Sequence, residues 1–112
     1  MDQYKKYKES EEEFSYVLRM EYEWYDDKYQ EMITLIRSIF EEYRERDVLP
    51  KSVIYFFTRE IDLIIGIVSK DIFFNTIPDQ YTREEFIHLI EKRKAELSDL
   101  KQKFFTGDFY SI

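Results

Sequence analysis

Apolar residues recur through the first half of the chain at alternating steps of four and three. Leu18, Tyr22, Tyr25, Tyr29, Met32, Ile36, Ile39 and Tyr43 make up this series. Residues so spaced share one face of an α-helix, because 3.6 residues complete a turn. The series predicts helix from about Ser10 to Arg46, with Ser10-Glu11-Glu12-Glu13 matching the Ser-x-x-Glu capping box at its start. Asp26-Asp27 offers a point of division, since Asp is a good N-cap residue. The seam nevertheless passes through that pair without slipping, and the expectation is one continuous or kinked helix. Such a helix would run for ~55 Å and would overhang the helices that follow it.

Asp47-Val48-Leu49-Pro50 reads as a turn, with Pro50 near the first helical position that tolerates proline. From Lys51 to Phe74 the chain is apolar almost all round. Its β-branched and aromatic residues would also suit strands, but about 20 residues without a turn signal suit only a helix. This segment is expected to be the central helix of the core. Asn75-Thr76-Ile77-Pro78-Asp79 is the next break. Thr82-Arg83-Glu84-Glu85 is a second capping box, with Tyr81 and Phe86 placed as a hydrophobic staple. Phe86, Ile90, Leu97, Leu100 and Phe104 continue at heptad spacing until Gly107, which can terminate a helix. The fold expected is all-α: an antiparallel helical bundle of three long helices, or four if the first breaks near Asp26-Asp27. Residues 1–112 form one helical-bundle domain in this reading.

Composition sharpens that reading. With 2 Gly, 2 Pro and no Asn-Gly or Asp-Gly pair, the chain lacks the usual material of tight hairpins. A hydrophobic fraction of 44% with 10 Tyr and 10 Phe is that of a folded globule, not a disordered chain. Cysteine is absent, so disulfides, thiolate metal sites and a Cys nucleophile are excluded. The longest uncharged apolar run, Leu63 to Ser69, is too short to span a bilayer, and Met1-Asp2-Gln3-Tyr4 does not begin a signal peptide. A cytoplasmic location is the default expectation.

The formal net charge is -7 and is unevenly placed. Residues 1–47 hold 8 Lys/Arg against 14 Asp/Glu, while residues 48–112 hold 9 against 10. Such a surface repels nucleic acid and anionic membranes, and it attracts a basic protein partner. The competing explanation is that the charge serves solubility alone.

Candidate chemistry is sparse. Glu85-Phe86-Ile87-His88 matches the Glu-x-x-His element of di-iron bundles, but that site needs a second histidine and the chain has 1. A lone His in an acidic helical bundle also resembles the histidine phosphotransfer domains, whose pattern sets Lys and then Gly after the His. Lys92 fits that pattern, but Arg93 stands where Gly is needed, and Glu84, Glu85 and Glu91 would oppose phosphoryl charge. Adjacent acids such as Glu41-Glu42 point about 100° apart on a helix and do not converge on a substrate. No Gly-rich phosphate loop, Gly-x-Ser-x-Gly or His-Glu-x-x-His occurs. No catalytic residue, metal site or cofactor is expected, and the chain reads as a non-enzyme.

Two features of the first helix remain. Glu21 lies on the apolar arc between Phe14 and Val17, so it either reaches solvent or pairs with a cation such as Arg93. The second feature is the width of that arc. Phe14, Leu18, Tyr22 and Tyr25 form one stripe, while Tyr16, Val17, Met20 and Trp24 form another. Together they cover roughly 240° of the circumference, where one packed layer needs about 100° or somewhat more. The excess stripe, flanked by Glu12, Glu13, Glu23 and Asp27, has the make-up of a protein interface: aromatic and Met anchors inside a charged rim. Its anchors would be Tyr16, Met20 and Trp24, unless the Phe109-Tyr110 tail covers them. The function expected is binding of a basic protein partner, as an immunity-type or inhibitory protein would do. A homodimer or helical assembly partner, a nucleic-acid mimic and a His88 phosphotransfer module are the alternatives.

Overall fold

The computed structural model describes residues 2–10 and 13–112, and among these the regular elements are helices. Two short helices open the chain, α1 (Asp2–Glu9) and α2 (Phe14–Glu21). Three longer rods follow. The first is α3 (Asp26–Glu42). The second, spanning 51–68, is built from α4 (Lys51–Tyr55), a π turn (Phe56–Glu60) and α5 (Ile61–Val68). The third is α6 (Arg83–Thr106). They pack as an all-α bundle in which α5 touches both α2 and α6.

The continuous first helix does not form. Ser10 lies beyond the end of α1, and Glu13 rather than Ser10 caps α2: its carboxylate accepts from the backbone N–H groups of Ser15 and Tyr16. Two of the four box residues, Glu11 and Glu12, lie outside the described residues. A second break falls at 22–25, just ahead of Asp26-Asp27. Tyr22 takes the left-handed conformation (φ 55°), and its N–H closes the last turn of α2 on the Leu18 carbonyl. For a residue with a Cβ that conformation costs roughly 1–2 kcal/mol.

The packing that follows the bend explains why it is tolerated. The bend brings Trp24 into the core, edge-on to Phe14 at 4.7 Å between centroids and stacked on Tyr29 at 5.3 Å. Phe14 and Tyr29 meet at 5.6 Å. Each such pair contributes about 0.5–1.5 kcal/mol beyond the area it buries, so the trio offsets the backbone cost. The heptad spacing across Tyr22 and Tyr25 does not reflect one shared helical face.

The second rod buries Val53, Phe56, Phe57, Ile61, Ile64, Ile67 and Val68, consistent with its expected place at the centre. Unlike the expected all-round apolar helix, it leaves Ile54, Tyr55 and Leu63 exposed and ends at Val68, six residues early. A 3₁₀ segment (Asp71–Asn75) takes over and tucks Phe73 against Phe86. The third rod follows its sequence signals closely. Thr82 Oγ1 accepts from Glu85 N, Glu85 Oε1 accepts from Thr82 N, and Tyr81 packs on Phe86. Gly107 ends α6 at φ 80°. Beyond it Phe109 rests on Phe40 and Phe104, so the tail closes the end of α3 and α6.

Candidate functional site

Around α2 the expected interface residues separate into two groups. Met20 is 62% exposed and Tyr16 37%, and Glu23 and Asp27 are also at the surface. Trp24 is only 3% exposed, so it is a core anchor and not a surface one. The reason is the bend at Tyr22, which turns the indole inward instead of continuing its helical stripe. Val17 is likewise buried. Glu13 is 3% exposed and works inside the protein, while Glu12 lies outside the described residues. The Phe109-Tyr110 tail does not cover this face: its ring contacts are with Phe40 and Phe104, and Tyr110 donates to Glu45.

Two charged clusters lie beneath the surface, and neither pairing was read from the sequence. In the first, Glu60 of the π turn is 2% exposed and accepts from Lys8 Nζ at 2.6 Å. Ser15 Oγ stands 2.5 Å from Glu60 Oε1 and 2.7 and 2.8 Å from the two Glu13 oxygens. Lys8 also reaches Glu13 at 3.3 Å. Burial pushes the Glu13 carboxyl towards its neutral form, but hydrogen bonds from Ser15 and the charge of Lys8 outweigh this and hold it below the usual carboxylate range. The Tyr7 hydroxyl accepts from Phe14 N at 3.1 Å. These bonds fasten α1 to α2 and to the second rod. A signal for Glu60 was present: it stands four residues after Phe56 and four before Ile64, on the face those residues bury.

The second cluster joins α3 to α6. Arg93 Nε and Nη2 bond the two Asp26 oxygens at 2.9 and 2.7 Å, a bidentate pair, and Arg93 Nη1 reaches Glu96 at 2.7 Å. Trp24 Nε1 and Gln30 Nε2 donate to the same carboxylate. The guanidinium lies 4.9 Å from the Tyr29 ring centre. Arg93 is thus an interhelical partner as its seam position suggests, but for Asp26 and not for Glu21, which is exposed. Ending α2 at Glu21 releases that side chain to solvent and delivers Asp26 to the first turn of α3.

Clefts indent the surface. The one of interest, about 320 Å³, lies between the bend at 22–25 and the segment 76–80. Tyr22, Trp24 and Tyr25 line it from one side and Ile77 and Pro78 from the other, and its charged lining residues are Glu23 and Asp79. The Tyr25 hydroxyl donates to Glu23 at 2.5 Å, and this bond raises its pKa. Two further clefts are mixed in charge: one is lined by Lys6, Lys28 and Glu31, the other by Arg44, Arg46 and Asp47. His88 is exposed on α6 and lines none of the three. Among the described residues no group of three His, Asp or Glu side chains is placed to hold a metal ion, and no helix is long and apolar enough to cross a membrane.

No family model, curated protein or solved structure matches the chain.

Proposed function

We propose that this protein is a non-enzymatic binding module that covers a basic surface of a protein partner in the cytoplasm. The observation that carries the reading is the stretch 16–27. It leaves Tyr16, Met20 and Tyr25 exposed together with the carboxylates of Glu21, Glu23 and Asp27. Arg19, whose guanidinium lies 5.9 Å from the Tyr16 ring centre, is the one cation exposed there. Aromatic and Met anchors supply contact area, and surrounding charge of one sign speeds encounter with the opposite sign. An immunity-type or inhibitory protein is the most concrete form of this role.

The test pairs the wild-type protein with a Tyr16→Ala, Met20→Ala variant. Trp24 is spared, because removing it would damage the core. Both are immobilised against lysate of the source cells and eluted with rising salt. Capture of a basic protein that the variant loses, with release by salt, is the expected result. Recovery of the chain alone, with a solution mass twice 14.0 kDa, would instead favour the homodimer.

A further inference from the structure

The geometry points to the cleft between residues 22–25 and 76–80 as a receptor for an arginine side chain presented by the partner. The inference rests on the binding role proposed above and names the group that would be recognised. At about 320 Å³ the cleft is at the low end of ligand pockets, which run to roughly 300–1,000 Å³, so it suits one side chain better than a large molecule. Five aromatic residues, Tyr22, Trp24, Tyr25, Phe73 and Phe86, line it, and a cation is attracted to the faces of such rings. Its charged lining residues are Glu23 and Asp79, both exposed, and no Lys, Arg or His is among them. A planar guanidinium can stack on an aromatic face while donating to carboxylates, a combination an ammonium matches less well.

Tyr22, which lines this cleft, holds a left-handed backbone that the packing of Trp24 stabilises. The protein also uses the same chemistry internally, where Arg93 sits over Tyr29 and grips Asp26 with two bonds. The cleft offers an external cation a similar set of groups.

The single tryptophan of the chain lines the cleft, so its fluorescence reports occupancy directly. The experiment titrates the full chain with tetra-arginine amide and follows Trp24 emission. A Glu23→Gln, Asp79→Asn variant is compared with a Glu41→Gln, Asp47→Asn variant, which removes equal charge near the far end of α3. Circular dichroism verifies that both fold. The expected result is a saturable emission change, weakened at least about tenfold in the cleft variant and less than about threefold in the control, with tetra-lysine amide binding several-fold more weakly. Equal weakening in both variants overturns the cleft while leaving the basic-partner reading intact, because binding would then follow net charge alone. Equal affinity for the lysine peptide overturns the preference for arginine. A flat emission trace overturns the cleft as a receptor, and the Tyr16 and Met20 capture experiment then decides the wider reading separately.

Discussion

Asp26 accepts from Arg93 twice, from Trp24 and from Gln30, and these bonds tie the bend at 22–25, α3 and α6 to one carboxylate. Burial alone would raise its pKa, but the Arg93, Trp24 and Gln30 hydrogen bonds outweigh burial and hold it below the ordinary value. A carboxylate depressed in the folded state stabilises the fold fully above its unfolded pKa of ~3.9 and loses that contribution as pH falls through the folded value. Asp26→Asn keeps the shape but removes the charge and turns an acceptor into a donor facing Arg93. Urea unfolding is expected to show a loss of about 2–3 kcal/mol, whereas Asp27→Asn, one residue on and exposed, should stay within about 0.5 kcal/mol. Similar losses for the two variants would deny Asp26 this role.

At the scale of elements, α1 depends on one buried charge cluster. Tyr4 packs into the core, and Lys8 spans to Glu60 and Glu13. Removing one partner of a buried pair leaves the other uncompensated, which typically costs about 3–5 kcal/mol. Glu60→Ala should therefore loosen α1 before the rest of the bundle. Hydrogen exchange is expected to quicken at amides 5–9 far more than at 86–100, and uniform loss of protection would show that Glu60 supports the whole fold instead. The opposite end of the bundle gives a milder case. Gly107 sits at φ 80°, where a Cβ is strained even though the space around it is open. Gly107→Ala should cost about 1 kcal/mol in thermal or urea unfolding, and a neutral result would mean that the last turn of α6 frays at no cost.

The whole molecule carries an alkaline liability. Tyr4 and Tyr29 are each 1% exposed, and burial pushes both phenols above their ordinary pKa, with nearby carboxylates adding to the effect. Below about pH 10 both states keep these protons. Above it the unfolded chain ionises while the folded one does not, so stability falls by up to ~1.4 kcal/mol per pH unit for each residue. Absorbance at 295 nm should show exposed tyrosines titrating first and the buried ones only in a cooperative step that coincides with loss of helix by circular dichroism. Phenol titration complete while the helix signal persists would contradict the burial of both rings.

Much of this protein is legible in one sequence, and the readable parts are local. The Thr82-x-x-Glu85 box, the Tyr81–Phe86 staple and the Gly107 stop set α6, because each is satisfied within a turn or two of chain. The all-α class follows from helical periodicity and the lack of hairpin residues. The exposed Met20 and Tyr16 were also readable, as apolar residues beyond what one packed layer needs. The bend at Tyr22 was not, because no Gly or Pro marks it: a tyrosine holds the left-handed position, stabilised by Trp24 packing on rings from α2 and α3. That packing across the bend decided which of the expected anchors are exposed, which carboxylate meets Arg93 and where the cleft lies. Periodicity registers the angle of a side chain about its own helix. Only the packing of the assembled chain decides whether that helix continues.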